Sequence, residues 1–258
     1  MGVSLKSTSA EFSISNILGK RFPVSSGLIF ANYAGDTSGK NLKIQGVSLT
    51  TVGAPTQIDD YSTNFSALNY ISTNTVFNAD AGTFILVARI NKQASSQACL
   101  VGTWPLGRGV SIINVLAGTS QALWMVGKTT KSDGTTANLS AIMDTTNVST
   151  ETDPTKAPYA LLVGRWWKDS SGLLQLKLEN KTNSLTATAT GASGQYNTAA
   201  QSTDYIGIGS SSASTASSGG NSNVQALSMY YSRALTDAEV ASMYSYIQSY
   251  YSDRGITV

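Results

Sequence analysis

The side chains best suited to chemistry in this sequence are its four tryptophans, because a flat indole face can stack on the C–H groups of a sugar ring. Two of them are adjacent, in the segment Arg165-Trp166-Trp167-Lys168. Neighbouring residues of a β-strand face opposite sides, so only one of this pair can lie in a core, and the other is exposed or covered by a loop. Trp166 and Trp167 are therefore the first candidates for a glycan-binding surface.

Trp104 is the next candidate, because it lies in the turn-like sequence Thr103-Trp-Pro-Leu-Gly-Arg108. Arg108, Asp169 and Lys168 are the candidate polar partners of these rings, on the basis of sequence proximity alone. For each tryptophan, burial in the core of the protein is the alternative role and the commoner one.

The carboxylates do not form an evident catalytic pair. Glycoside hydrolysis needs two carboxyl groups about 5 to 10 Å apart. Asp59-Asp60 lies in a predicted turn, and Glu179 stands alone among Gln and Lys residues on a predicted strand. The sequence therefore favours a protein that is not an enzyme, and a glycan-degrading enzyme with acids from separate loops remains an alternative.

The composition argues against several other classes of site. Histidine is absent, which removes Ser-His and Cys-His nucleophile pairs and the usual zinc sites. Cys99 is the single cysteine, so neither an intramolecular disulfide nor a thiolate cluster can form. With 17 Lys and Arg against 15 Asp and Glu and no basic run, nucleic acid is not an expected partner. No segment reads as a signal peptide or a membrane span, so membrane insertion is not expected.

Short β-rich segments separated by Gly, Ser, Asn and Asp clusters predict an all-β protein, an antiparallel β-sandwich in one domain. The clearest strand is Leu173–Glu179, in which alternate leucines face one side and polar residues face the other. Asn180–Asn183 is a predicted turn that joins it to a second strand, Ser184–Thr190. The other predicted strands are 42–49, 67–72, 83–91, 110–116, 122–127, 137–143, 159–166, 205–209 and 224–232.

The C-terminal segment instead has helical periodicity. Thr236 and Glu239 form a predicted capping box, and Asp237 suits the positive end of the helix dipole. Apolar and tyrosine residues at helical spacing predict one amphipathic α-helix over residues 236–252, docked on the sandwich. These residues are Val240, Met243, Tyr244, Ile247, Tyr250 and Tyr251. A partner-binding surface is the alternative role for this stripe.

The order of these segments resembles the laminin G-like, concanavalin A-like modules of bacteria and phages. The resemblance covers roughly residues 25 to 255, and its most specific part is Met229-Tyr-Tyr-Ser-Arg-Ala-Leu-Thr-Asp-Ala-Glu-Val. The tyrosine-rich helix is similar to those of phage tail and receptor-binding proteins. The resemblance implies a concanavalin A-like jelly roll over residues 25–258. Residues 1–24 are then an N-terminal segment, which Glu11-Phe-Ser-Ile-Ser predicts to be an added strand.

The chain departs from this family at its calcium site. Where many relatives carry an acidic pair on the last strand, this sequence has Ala226-Leu227, so no cofactor is expected. Asp36 is a weak calcium candidate, because a single carboxylate in an Asp-x-x-Gly turn more often shapes the turn than binds a metal.

Together these features predict a non-enzymatic module that binds bacterial surface polysaccharide. The resemblance places it in a phage tail fibre, in the virion or outside the cell, with other tail proteins as partners and a homotrimer as its assembly. The alternative is a structural assembly protein of the same fold, in which the sandwich contacts proteins and no sugar.

Overall fold

In the computed structural model two antiparallel β-sheets face each other and a C-terminal helix covers one of them, which confirms the predicted fold class. The predicted added strand within residues 1–24 falls almost wholly outside the described residues. The structure describes residues 22–35, 41–42, 46–93, 97–105, 108–117, 120–131, 133–145, 149–193, 195–198, 201–212 and 221–258.

Sheet A is the sheet beneath the helix. Its described strands are β1 (Leu28–Tyr33), β3 (Thr56–Asp59), β4 (Ser62–Phe65), β6 (Ala81–Arg89), β11 (Tyr159–Lys168), β12 (Leu174–Asn180), β13 (Leu185–Thr190) and β16 (Asn223–Tyr231). They lie in the order β13-β12-β11-β6-β16-β4-β3, and β1 pairs with the C-terminal half of β16. The predicted hairpin is formed by β12 and β13.

Sheet B lies on the other side of the sandwich. Its described strands are β2 (Thr50–Val52), β5 (Tyr70–Val76), β7 (Gln97–Gly102), β8 (Val110–Ala117), β9 (Ser120–Thr130), β10 (Thr136–Asp144), β14 (Tyr196–Asn197) and β15 (Tyr205–Ile208). Their order is β10-β9-β8-β7-β15-β5-β2, with β14 paired to the end of β9. Strand β10 therefore forms one edge of this sheet.

Strand β11 shows how one strand serves two layers. Leu162 and Trp166 point into the core between the two sheets, whereas Leu161 and Val163 lie on the opposite face, in the layer beneath the helix. Because successive strand residues alternate between faces, a central strand with apolar residues at both sets of positions is buried on both sides. The protein is thus built as helix, sheet A and sheet B.

Helix α1 (Asp237–Ser252) begins where the sequence predicts. The Oγ1 of Thr236 accepts a hydrogen bond from the backbone N–H of Glu239, and the Glu239 carboxylate accepts one from the backbone N–H of Thr236. This capping box satisfies two donors that would otherwise lack partners at the start of the helix. The buried face of the helix is formed by Val240, Met243, Ile247 and Tyr251.

An ionic cluster around the buried Arg165 fastens α1 to sheet A. The guanidinium of Arg165 donates to the carbonyl of Leu235 at 2.7 Å and to Oε2 of Glu179 at 2.7 Å. The same group reaches Oδ1 of Asp237 in the first turn of the helix at 2.5 Å. Arg165 therefore fixes where the helix begins relative to β11 and β12.

Buried amides join the two sheets near the middle of the molecule. The side-chain amide of Gln225 on β16 donates to the carbonyl of Leu100 on β7 at 2.7 Å, and that of Asn223 donates to the carbonyl of Gly209 at 2.8 Å. Both side chains are fully buried, so these hydrogen bonds replace ones that water would otherwise provide.

The predicted strand 42–49 is wrong for the residues that the structure describes. Residues 46–49 form no strand, β2 begins only at Thr50, and residues 43–45 fall outside the described ranges. The side chain of Asn41 explains this difference. Its amide donates to the carbonyl of Val47 at 2.9 Å, and its Oδ1 accepts from the N–H of Ala31 at 3.2 Å. The side chain of Asn41 thus makes hydrogen bonds with the backbone that a neighbouring strand would otherwise make.

Candidate functional site

Trp166 belongs to the core between the sheets. Its exposed fraction is 0% and its indole N–H donates to the carbonyl of Asn78 at 2.8 Å. Its ring stacks nearly parallel to that of Tyr230, with centroids 6.1 Å apart. The structure confirms that one of the two adjacent tryptophans is a core residue. It also corrects the proposal of Trp166 as a glycan contact, because a ligand cannot reach a ring enclosed in this way.

Trp167 points the opposite way, onto the outer side of sheet A, and is only partly buried. Across the sheet it is paired with Gln175 on β12, which is in turn paired with Thr190 on β13. These three side chains therefore lie side by side on one outer surface, which we call the Trp167 face. It offers an indole ring, an amide and an exposed hydroxyl in a row.

Asp169 holds the polar part of the Trp167 face in place. Its Oδ1 accepts hydrogen bonds from the backbone N–H groups of Ser171 and Leu173, both at 2.9 Å, and so shapes the turn between β11 and β12. Its Oδ2 accepts from Nε2 of Gln175 at 2.8 Å, and Oε1 of Gln175 accepts from Oγ1 of Thr190 at 2.7 Å. Asp169 thus orients the amide beside Trp167.

Lys168 forms an ion pair at the same end of β11. Its ammonium lies 2.5 Å from Oδ1 of Asp80, and the two side chains are 45% and 71% exposed. An ion pair so open to water contributes little stability. Lys168 therefore remains accessible at the border of the Trp167 face, with its charge balanced by Asp80.

Trp104 and Arg108 lie in the loop that follows β7. Arg108 forms a two-pronged ion pair with Asp204, with Nε 2.5 Å from Oδ2 and Nη2 3.1 Å from Oδ1. The hydrogen bond from Arg108 holds the pKa of Asp204 below its usual range. Arg108 therefore fastens its own loop to the segment before β15.

The predicted residues are divided between two outer surfaces. Trp167 is paired with Ala81 at the start of β6 in sheet A. Just before that strand, the carbonyl of Ala79 accepts a hydrogen bond from the side chain of Asn197, which belongs to β14 of sheet B. The two sheets are therefore in contact at this end of the sandwich. Trp104 and Arg108 lie at the same end of the sandwich, but on the side of sheet B. The structure therefore brings Trp167 and Asp169 together and places Trp104 and Arg108 elsewhere.

A second surface includes residues that the sequence analysis did not single out. On the outer side of sheet B, Trp124 and Lys128 of β9 face the same way, and Asn138 of the edge strand β10 is paired directly with Lys128. The Lys128 ammonium lies over the Trp104 ring, 4.6 Å from its centroid. We call these four residues the Lys128 face. The sequence carries little signal for this surface, because Leu123, Met125 and Val126 beside Trp124 are all apolar.

Shallow depressions in the described part of the molecule border α1. One of about 380 Å³ lies between residues 23–26 and the first turn of the helix, and one of about 330 Å³ lies between the helix and the β12–β13 turn. Neither includes a tryptophan.

Metal-binding groups do not cluster in the described ranges, where no set of three or more Asp, Glu or Cys residues could hold an ion. Asp36, the weak calcium candidate, lies outside the described residues. Among the described helices, none is long and apolar enough to cross a membrane.

The chain matches no known family profile and no curated protein sequence, but its fold is similar to solved structures. The botulinum neurotoxin type G receptor-binding domain superposes with a TM-score of 0.53 at 11% identity, over 86% of this chain and 52% of that one. The binding domain of botulinum neurotoxin DC, solved in complex with rat synaptotagmin II, gives 0.52 at 11% identity, over 86% and 52%. The Trypanosoma rangeli sialidase in complex with sialic acid gives 0.50 at 11% identity, over 85% and 33%. The chain thus spans about half the length of the neurotoxin domains, and the likeness is one of fold.

Proposed function

We propose that this protein is a non-enzymatic recognition module that binds glycans through the Trp167 face. The observation that carries the proposal is the row of Trp167, Gln175 and Thr190 on the outer side of sheet A, held by Asp169. An indole ring can cover the apolar face of a sugar, and an amide and a hydroxyl beside it can bond its hydroxyl groups.

The carboxylates of Asp169 and Glu179 are engaged by neighbouring groups of the protein, which favours a binding site over a catalytic one. Both oxygens of Asp169 accept hydrogen bonds from the β11–β12 turn and from Gln175, and Glu179 is buried against Arg165. Neither acid is placed to act on a bound sugar. A glycosidase would need an accessible pair, one acid and one nucleophile or base.

The ligand we propose is a bacterial surface polysaccharide, and the setting is a phage tail fibre or a similar appendage. The resemblance to laminin G-like, concanavalin A-like modules supports this, as does the likeness to a domain described as receptor-binding. A row of three side chains on the outer side of a sheet is expected to give weak single-site affinity. We therefore propose a homotrimer within the virion, since several linked weak sites give useful avidity.

The test is binding of the fluorescently labelled full chain to bacterial strains, each with and without its capsule and lipopolysaccharide outer chains. We expect binding to be lost with one polysaccharide and to fall by about tenfold or more in Trp167→Ala, as for an aromatic residue central to an interface. Tyr205→Ala, which removes a partly exposed aromatic ring from β15, is the matched control and should bind like the wild type. Equal binding by Trp167→Ala and wild type would exclude the Trp167 face.

One feature favours an assembly role as the second candidate function. Strand β10 lies at the edge of sheet B, has no charged residue before Asp144 and exposes 53% of Ile142. An uncharged edge strand is a template for pairing with another strand. Light scattering at high protein concentration tests self-association: a monomer would exclude the trimer and the pairing of β10 between copies of this chain, and a concentration-independent trimer would support the oligomer.

A further inference from the structure

Lys128 is a partly buried cation without an anionic partner in the described part of the chain. Its side chain is only partly exposed, and its ammonium makes no hydrogen bond or ion pair with any described residue. Burial lowers its pKa. A desolvated ammonium that lacks a counter-charge costs free energy, so a bound anion would compensate for what the fold leaves unbalanced.

The residues around Lys128 suit a sugar acid better than a simple ion. The ring of Trp104 lies beneath the ammonium, and the exposed amide of Asn138 stands directly opposite on β10. Trp124 lies four residues earlier on the same face of β9, about 13 Å away at the rise of an extended strand. The Lys128 face therefore presents a cation and an amide at one end and an aromatic ring at the other.

The other charges near Lys128 leave the surface positive. Arg108 is balanced by its ion pair with Asp204, and Lys131 is exposed in the turn after β9. Asp133 in that turn accepts hydrogen bonds from the N–H and the hydroxyl of Thr135. Lys128 is thus the charged group of this face that has no ionic partner among the described residues.

We propose that the Lys128 face is a second saccharide site, which binds an acidic sugar with its carboxylate between Lys128 and Asn138. This site is separate from the Trp167 face, lies on the other outer side of the sandwich, and goes beyond the proposed function.

The experiment follows the ¹³Cε signals of lysine in the full-length protein during titration with the methyl glycosides of glucuronate and galacturonate. At least one uronate is expected to shift the Lys128 signal in a saturable way and to raise the pKa of Lys128, because a carboxylate stabilises the ammonium. The corresponding methyl ester, which lacks the charge, is expected to bind about tenfold more weakly.

Matched variants make the test decisive. Lys128→Gln should abolish uronate binding, whereas Lys131→Gln removes the same charge three residues away and should keep it. Trp167→Ala should also keep it, which separates this proposal from the function proposed for the Trp167 face. The proposal is overturned if neither uronate perturbs Lys128, if acid and ester bind equally, or if Lys128→Gln retains the affinity of the wild type.

Discussion

At the scale of single residues, Gly82 tests the packing around Trp166. A Cβ at this position would overlap the Cζ2 and Cη2 atoms of the Trp166 ring, which is held by Asn78 and Tyr230. We expect Gly82→Ala to lower the free energy of unfolding by about 1–3 kcal/mol, because a filled core cannot take another methyl group without displacing a ring.

Urea denaturation measures this change, and Gly191→Ala is the control. The nearest atoms to a Cβ at Gly191 are 3.4 Å away, which is ordinary van der Waals contact. Its effect should stay within about 0.5 kcal/mol. Equal stability of the two variants would contradict the close packing of Trp166 against β6.

The site residues show what alternation along a strand can reveal. In Trp166-Trp167 a change of one position reverses the face, so the sequence predicts that one ring is buried and the other is not. Which ring is buried depends on the register of β11 with β6, which pairs Trp166 with Gly82. Trp124 is harder to predict, since Leu123, Met125 and Val126 around it are all apolar and β9 has buried apolar residues on both faces.

At the scale of elements, the connection between α1 and sheet A depends on Arg165. We expect Arg165→Met to lower the free energy of unfolding by about 3 kcal/mol, because it leaves the buried carboxylate of Glu179 without its main partner. Lys177 and Lys181 remain 3.7 and 3.5 Å from that carboxylate and limit the loss.

A double-mutant cycle measures this coupling by thermal denaturation. Removing the buried charge as well, in Arg165→Met/Glu179→Gln, should restore part of the lost stability. Additive effects of the two substitutions would contradict a direct interaction between the residues.

The start of α1 also makes stability depend on pH. Hydrogen bonds from Arg233 lower the pKa of Glu239 from 4.5 to about 2. Because the folded pKa is below the unfolded one, this stabilisation is present above pH 4.5 and is lost as the pH falls toward 2. We expect Glu239→Gln to be less stable than the wild type near neutral pH, and the difference to disappear in acid. A constant difference across a pH series of melting temperatures would contradict this.

Elements with local signals are the ones that the sequence predicts well. Helix α1 begins within one residue of its prediction because the capping box lies within four consecutive residues. Strand β7 lacks such a signal, since a bulge between Cys99 and Val101 breaks its alternation. The false strand at 42–49 fails for a non-local reason: Asn41 supplies side-chain hydrogen bonds to the backbone at Val47 and Ala31.

At the scale of the whole molecule, the two hydrophobic layers share their strands. Strand β11 contributes Trp166 to the core between the sheets and Arg165 to the layer beneath α1, and β16 contributes Tyr230 and Tyr231 to the same two layers. Neither layer can therefore lose its packing while the other keeps it. If residues 25–258 form one domain, as the sequence predicts, they should unfold in one cooperative transition.

Two probes that report on different layers test this cooperativity. Tryptophan fluorescence of a variant in which Trp104, Trp124 and Trp167 are replaced by Phe follows the enclosure of Trp166, and far-ultraviolet circular dichroism at a helical wavelength follows α1 on the outside of sheet A. We expect the two urea transitions to coincide in midpoint and slope, because the strands that hold the ring also hold the helix. An earlier loss of the helical signal would mean that α1 and its layer unfold separately, so that the sandwich alone is the cooperative unit.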